Sequence, residues 1–190
     1  MFTVLFLNQK GGVGKTTLAD ELSFALERRG FTVAFVSTDP QGGSVHEGCV
    51  DPDFVEASDF QIVDTAGVLN GAVGDWCCAA DVILIPMLSS TRDKEPTMRT
   101  YDIAKDSGTD AAIYLLINNF YVFGKLDRQL VEFLEAEDIP IIAKVPRAAA
   151  LAQAAGAGKS VAEYAPHSHV VPAIEKLTDF IIEEMGKKHV

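Results

Sequence analysis

One segment near the N-terminus carries residue types that bind phosphate. The stretch from Asn8 to Thr17 reads N-Q-K-G-G-V-G-K-T-T and lies between an apolar run, Thr3 to Leu7, and a helical pattern. A glycine-rich turn before a helix presents backbone N–H groups and the positive end of the helix dipole, so it favours a polyphosphate. The predicted nucleotide-binding residues of this loop are Gly11, Gly12, Val13, Gly14, Lys15, Thr16 and Thr17.

Two side chains of the loop have distinct predicted roles. Lys15 is placed to reach the outer phosphates, and the Thr16 hydroxyl is placed to bind Mg²⁺. The general pattern G-x-x-x-x-G-K-S/T has a glycine where this chain has Gln9, so the loop is the variant K-G-G-x-G-K-T-T with a second lysine, Lys10. A glycine-rich turn without a ligand is the alternative, but strand, loop, lysine, threonines and helix all occur in the required order.

This variant loop resembles that of the ParA/MinD group of P-loop ATPases, whose hallmark is the lysine found here at Lys10. Phe31 to Gln41 is similar to the group's second strand and its D-P-Q switch, and Phe60 to Gly67 to its acidic strand end and second switch. The stretch from Val145 to Pro166 resembles the C-terminal part of plasmid and chromosome partition ATPases. The resemblance therefore runs almost from end to end.

The resemblance implies a catalytic set of Lys10, Lys15 and Asp39. Asp39 corresponds to the carboxylate that orients the attacking water, and Asp64 to the one that holds Mg²⁺, so Thr16, Asp39 and Asp64 are the predicted metal residues. An isolated aspartate at a strand end is more often a cap or turn residue, but the Asp-Pro-Gln and Val-Asp-Thr-Ala-Gly contexts favour the catalytic interpretation. Ser37 replaces the first aspartate of the related D-x-D-P-Q pattern.

The second lysine is expected to act on another subunit. By resemblance, Lys10 reaches across a two-fold interface to the partner's nucleotide, so that two subunits enclose two ATP molecules, as an arginine finger supplies charge from outside. A solvated loop lysine is the alternative interpretation. The implied cofactors are ATP and Mg²⁺, and the implied assembly is a homodimer that forms on ATP binding.

The resemblance also suggests contacts for the base and for DNA. Asn118 or Asn119, expected just past the fifth strand, and the backbone near Pro146 match the adenine pocket, although an asparagine after a strand is often a turn former. Arg147 and Lys159 are the predicted DNA-binding residues, with an ordinary surface arginine as the alternative for Arg147. His167 or His169 occupies a second basic position of the relatives, which predicts weak, pH-sensitive DNA binding.

Composition limits the possible functions. The 190 residues are 48% hydrophobic and 23% charged, which is typical of one globular domain, expected to span residues 1–190. No apolar run has the length of a membrane span, so we expect no membrane contact and a cytoplasmic protein that associates with the nucleoid when it is ATP-bound. The net charge of −11 restricts any DNA contact to a local basic patch.

The order of elements predicts an α/β fold. Short apolar strands are expected at Thr32–Val36, Phe60–Val63, Val82–Ile85, Ile113–Ile117 and Ile141–Val145. Helical patterns cover Thr16–Arg29, Glu95–Ser107, Gly124–Glu137 and Val170–Gly186, and Gly42–Ser58 is irregular. Strands that are apolar throughout and alternate with helices indicate a P-loop NTPase-like sandwich, with a mainly parallel sheet and helices on both faces.

Two further patterns are interpreted as structural and not as functional sites. Cys77 and Cys78 lack the second cysteine pair that a shared iron–sulfur cluster needs, so we expect small buried helix residues. The apolar stripe of the last helix could lie on a membrane, as in a MinD-like positioning ATPase, but its acidic polar face favours core packing.

Together these features predict an ATP-dependent DNA segregation ATPase of the small kind that has no N-terminal DNA-binding extension. It would dimerise on Mg-ATP, bind non-specific DNA and hydrolyse ATP when a centromere-binding or cargo adaptor protein stimulates it. The alternatives are an ATP-dependent small-molecule ligase similar to dethiobiotin synthetase and a non-hydrolysing nucleotide switch that scaffolds a partner.

Overall fold

The computed structural model describes residues 1–38, 42–67 and 73–188, within which strands and helices alternate. The strands are β1 (Phe2–Phe6), β2 (Val33–Ser37), β3 (Phe60–Asp64), β4 (Val82–Leu88), β5 (Ala112–Phe120) and β6 (Ile141–Pro146). The helices are α1 (Lys15–Arg28), α2 (Pro52–Ala57), α3 (Val73–Ala79), α4 (Thr91–Asp106), α5 (Lys125–Ala136), α6 (Ala149–Gly156), α7 (Val161–Tyr164) and α8 (Val171–Lys188).

The described strands form one parallel sheet in the order β2-β3-β1-β4-β5-β6. The chain runs from β1 to the edge strand β2, returns through β3 and then crosses to β4 on the far side of β1. The strand order therefore reverses beside β1. Parallel sheets bind ligands outside the carboxyl ends of their strands at such a reversal, which is where the segment after β1 emerges.

The sheet is covered on both faces, as the sequence predicted. Phe2, Val4 and Phe6 of β1 pack in one core with residues of α1, α6, α7 and α8. Leu5, which points to the other face, packs in a second core with residues of α3, α4 and α5. Because both faces are buried, every residue of β1 is apolar or small, which explains the continuous apolar run.

Helix α1 is followed by a glycine that ends it. Gly30 takes a left-handed conformation with φ of 89°, and its N–H donates to the Glu27 carbonyl at 2.9 Å. The N–H of Phe31 donates to the Leu26 carbonyl at 3.2 Å, which completes a Schellman-type ending and turns the chain toward β2.

The end of β5 differs from the prediction. Asn118 pairs with Leu88 in the sheet, so both asparagines lie inside β5 and the expectation that they follow the strand was wrong. The register with β6 shifts between Ile117 and Phe120, and Asn119 has a φ of 54° there. This irregularity lies at the asparagines near the carboxyl end of β5. The apolar run that predicted the strand gives no sign of it.

Two other elements were misjudged in extent. Helix α4 begins at Thr91 rather than Glu95, because the Ser90 hydroxyl accepts a hydrogen bond from the Arg92 N–H at 3.2 Å. The segment predicted to be irregular contains α2, which begins where the Asp53 N–H donates to the Asp51 side chain at 3.1 Å. The Asp51-Pro52 pair is a helix-start signal that was available in the sequence.

The predictions of buried helix cysteines and of core packing for the last helix are confirmed except at one residue. Cys77 is buried in α3 but Cys78 is exposed, so the prediction was wrong for Cys78, since neighbouring helix residues point about 100° apart. In α8, Ile174, Leu177 and Ile181 lie in the core that contains β1. Among the described residues, no helix combines the length and apolarity that a bilayer crossing requires.

Candidate active site

The segment between β1 and α1 has the backbone of a phosphate cradle. Gly12 and Gly14 have φ of 76° and 97°, in the left-handed region that favours glycine. A Cβ atom at Gly14 would lie 2.2 Å from the Asn118 Nδ2, whereas Gly11 and Gly12 face open space. Gly14 is therefore required by close packing, and the exposed glycines leave room for a ligand beside their N–H groups.

A buried polar network holds the first half of this loop. The Asn8 amide is fully buried and donates to the Pro86 carbonyl at 2.7 Å and to the Thr97 hydroxyl at 3.0 Å. Its oxygen accepts from the Lys10 N–H at 2.9 Å, and the Gln9 N–H donates to the Thr100 hydroxyl at 3.2 Å. The network fixes the loop to β4 and α4, and sequence reasoning did not identify it.

The two loop lysines have opposite environments. Lys15, the first residue of α1, is 7% exposed and lies inside the cradle. The Lys10 side chain is 43% exposed, and its Nζ lies 3.9 Å from Oδ1 of Asp93, a buried residue of α4. Lys10 therefore presents its charge at the molecular surface, and Asp93 is a partner that the sequence did not reveal.

A hydroxyl and a carboxylate meet at the predicted metal position. The Thr16 Oγ1 donates to Oδ2 of Asp64 at 2.8 Å, and Asp64 is 1% exposed at the end of β3. Hard oxygen donors of this kind, few in number and beside a phosphate cradle, fit Mg²⁺, which keeps several waters and binds phosphate oxygens as well. The third predicted metal residue, Asp39, lies outside the described residues, as does the rest of the Asp-Pro-Gln sequence.

The segments before and after these carboxylates are linked to each other. The Thr38 N–H donates to the Asp64 carbonyl at 2.9 Å, and the Thr38 hydroxyl accepts from the Ala66 N–H at 3.1 Å. A Cβ atom on Gly67 would lie 3.5 Å from the Gly11 Cα, so this part of the second switch contacts the phosphate loop through backbone. Thr38 and the described part of the second switch, up to Gly67, are thus linked to each other beside the loop.

The chain after Asp39 returns to α1 through a buried carboxylate. Asp20 accepts hydrogen bonds from the N–H groups of Val45 and His46 at 2.9 and 3.0 Å and contacts the His46 Nδ1 at 2.8 Å. Burial lowers the pKa of His46, but the Asp20 hydrogen bond and the nearby Glu27 outweigh it, so the net pKa is raised. This anchor was also missed, since Asp20 and His46 match no motif.

Two of the residues considered for base binding, Asn119 and Pro146, line a cavity of about 700 Å³ at the ends of β5 and β6. Pro146 lines it together with Asn119, Tyr121, Arg147 and His169. Asn118 does not line the cavity, because its amide donates to the Val13 carbonyl at 2.9 Å and its oxygen accepts from the Asn119 N–H. Its place is between the cavity and the phosphate loop.

The predicted DNA-binding residues are exposed but separate in position. Arg147 follows β6, and its carbonyl lies 3.1 Å from the Nε2 of His169. Lys159 lies in the turn between α6 and α7 and does not line the cavity that Arg147 lines. The structure brings the His169 ring to the Arg147 backbone, and the sequence did not predict this contact.

Comparison with known proteins points to one family. The family model described as CobQ/CobB/MinD/ParA nucleotide binding domain matches residues 4–161. The maintenance of carboxysome distribution protein A of Halothiobacillus neapolitanus is 28% identical over 169 residues, covering 74% of this chain and 77% of that protein. The probable plasmid-partitioning protein ParA of Thermus thermophilus is 58% identical over 36 residues, 19% of this chain and 11% of that protein.

The fold matches solved structures along almost the whole chain. The septum site-determining protein MinD of Pyrococcus horikoshii, complexed with Mg-ADP, superposes with a TM-score of 0.76 and 19% identity, covering 98% of both chains. At this identity the likeness establishes the fold, which is of the P-loop NTPase type.

Proposed function

Because the chain belongs to the CobQ/CobB/MinD/ParA family of nucleotide-binding domains, we propose that it is an ATP-dependent partition ATPase. Two copies join on Mg-ATP, the joined copies bind non-specific DNA, and a cargo adaptor protein stimulates hydrolysis. The membership itself makes the chain a nucleotide-binding protein of the ParA/MinD type. The dimer, the DNA and the adaptor are the parts that we propose.

The observation that carries the proposal is the contrast between the two lysines. Lys15 is buried within the loop, whereas the side chain of Lys10, five residues earlier, is 43% exposed and lies 3.9 Å from the buried Asp93. A lysine held at the rim of a phosphate cradle can serve a nucleotide bound to another copy, as an arginine finger does. This supports a dimer in which each Lys10 acts on the partner's ATP.

Other residues are assigned to binding the phosphates, holding Mg²⁺ and orienting water. The backbone N–H groups of the loop and the Lys15 side chain bind the phosphates, and the open space beside Gly11 and Gly12 leaves room for them. Thr16 and Asp64 hold Mg²⁺, and Asp39 orients the attacking water. Bound Mg²⁺ supplies charge neutralisation on the outer phosphates.

DNA binding is proposed for Arg147 and Lys159. Both side chains are exposed, and neither has a carboxylate partner among the ion pairs of the described residues. On a chain with a net charge of −11, such unpaired cations are the groups that can contact a phosphodiester backbone. The contact with His169 holds the Arg147 backbone in place, so the side chain extends from a fixed position.

Two measurements on the wild-type protein test the proposal. Phosphate release from Mg-ATP, with and without duplex DNA, is expected to show hydrolysis, and DNA mobility is expected to shift with ATP but not with ADP. Absence of phosphate release under both conditions would leave a non-hydrolysing switch. Hydrolysis that depends on a small carboxylic acid and ignores DNA would favour a ligase.

A further inference from the structure

The surface beside the candidate site carries a cluster of exposed apolar side chains. Within six residues, Tyr121 is 59% exposed, Val122 59%, Phe123 73% and Leu126 50%. We refer to these four residues as the apolar rim. Single exposed apolar residues are ordinary, but a contiguous patch on an otherwise charged surface marks a contact site.

The apolar rim is built by a fixed backbone. The Gly124 N–H donates to the Tyr121 carbonyl at 2.7 Å, and the Tyr121 N–H donates to the buried Asp127 at 3.1 Å. The Arg128 guanidinium donates to the Phe123 carbonyl at 3.3 Å, and the rings of Tyr121 and Phe123 meet edge to face at 5.8 Å. The turn is therefore ordered while its apolar side chains face outward.

The apolar rim adjoins the first turn of α4, the helix that contacts Lys10. Leu126 lines a small groove of about 170 Å³ together with Ser90 and Lys94, which flank the start of α4. Asp93, next to Lys94 in that first turn, is the residue that lies 3.9 Å from the Lys10 Nζ. Leu126 thus shares a groove with the first turn of α4, and the same turn holds the carboxylate beside the lysine that we propose acts on a second copy.

We infer that the apolar rim is covered by a second copy of this chain when Mg-ATP joins two copies. The inference rests on the proposed function, because Lys10 of each copy must approach the other's phosphate loop, and the first turn of α4 with the adjoining apolar rim then faces the partner. Each copy carries a net charge of −11, so long-range charge opposes association. Apolar contact offsets that repulsion, and in a two-fold dimer it occurs twice.

Two substitutions test the inference with little effect on the nucleotide pocket. Phe123 and Leu126 do not line the 700 Å³ cavity, whereas Tyr121 and Val122 do. Phe123→Ser and Leu126→Ser therefore remove apolar surface and leave that cavity intact. The matched control is Phe54→Ser, because Phe54 is 47% exposed but lies on α2, which leads into the amino end of β3, a strand that β1 and β4 separate from β5.

Sedimentation equilibrium with Mg-ATP measures the dimer, and calorimetry measures ATP affinity. We expect Phe123→Ser to raise the dimer dissociation constant at least about tenfold, since a large apolar side chain loses its burial. We expect Leu126→Ser to raise it in the same direction and Phe54→Ser to leave it unchanged. Affinity of the monomer for ATP should stay at the wild-type value in all three variants.

Each contrary result has its own meaning. If the wild type stays monomeric with Mg-ATP, the proposed dimer fails and the inference fails with it. If the wild type dimerises and Phe123→Ser dimerises equally well, only the inference is overturned. It is also overturned if Phe54→Ser weakens the dimer as much. If the wild type co-sediments with anionic vesicles, and Phe123→Ser keeps the dimer but no longer co-sediments, the rim is assigned to a membrane and the inference fails.

Discussion

The Thr16 hydroxyl donates to the Asp64 carboxylate at 2.8 Å, which joins the first turn of α1 to the end of β3. The contact brings two hard oxygen ligands together before any metal is bound. We expect Asp64→Asn to keep the fold, because the amide has the same shape and can still accept from Thr16, while losing the negative charge that attracts Mg²⁺.

The expected effect is on metal dependence. The Mg²⁺ concentration that gives half-maximal ATP hydrolysis should rise at least about tenfold in Asp64→Asn, since replacing a charged ligand weakens a divalent site by more than 1 kcal/mol. Thr16→Ser keeps the hydroxyl and is the control that should stay near the wild type. An unchanged Mg²⁺ titration in Asp64→Asn would remove Asp64 from the metal site.

The parts of this site that could be predicted from sequence are the local ones. The phosphate loop is contiguous, and a strand-end aspartate such as Asp64 is read from its neighbours, so both were found where the sequence placed them. The supports of the loop join residues far apart in the chain. Asn8 contacts Thr97, 89 positions away, and no short-range pattern encodes that pairing.

The same reason explains the other residues that were missed. Lys10 was identified, but its partner Asp93 depends on how α4 packs beside the loop. Asp20 and His46 come together because the chain after β2 folds back over α1. Asn118 was assigned to the wrong place because an apolar run cannot show that β5 continues through two asparagines.

Arg147→Glu should weaken DNA binding and leave the dimer intact. The Arg147 guanidinium is exposed on a chain with a net charge of −11, so reversing its charge replaces attraction of phosphate with repulsion. We expect at least about a tenfold loss of affinity for duplex DNA at low salt with Mg-ATP. Lys105→Glu, an equally exposed reversal near the end of α4, is the control.

The salt dependence of DNA binding offers a second check. Wild-type affinity should fall steeply as salt is added, because each neutralised phosphate releases counterions, and the slope should be shallower in Arg147→Glu. Equal affinity and equal slope in the wild type and Arg147→Glu would place the DNA contact on another surface.

Glu21 should make the stability of the protein depend on pH. It is 3% exposed on α1, and its carboxylate accepts from the Val161 N–H at 2.9 and 3.1 Å. Burial raises the pKa of Glu21 from 4.5 to about 7, against the lowering effect of that hydrogen bond. Because the folded-state pKa is raised, its stabilising effect is complete below pH 4.5 and is lost as the pH rises through 7.

Urea unfolding of the wild type and Glu21→Gln at several pH values measures this effect. Between pH 5 and pH 8 the wild type should lose up to about 3 kcal/mol of unfolding free energy relative to Glu21→Gln, which stays neutral throughout. The exposed Glu137→Gln serves as the control and should track the wild type. Parallel curves for the wild type and Glu21→Gln would show that the carboxyl titrates at its ordinary pKa.

The central claim is that Lys10 acts on the nucleotide of a second copy, and mixing two inactive variants tests it most directly. Lys10→Ala keeps Asp39 in its own site but has no lysine to give, whereas Asp39→Ala gives Lys10 but cannot orient water. Each variant alone should fail to hydrolyse ATP. In a mixed dimer, the site of the Lys10→Ala copy receives the lysine of its Asp39→Ala partner and becomes complete.

Phosphate release from an equal mixture of the two variants, with Mg-ATP and DNA, is the measurement. Half of the dimers are mixed and one of their two sites is complete, so the account predicts recovery to about a quarter of the wild-type rate. If Lys10 serves its own nucleotide, no copy in the mixture has both residues, and the mixture would stay as inactive as its components.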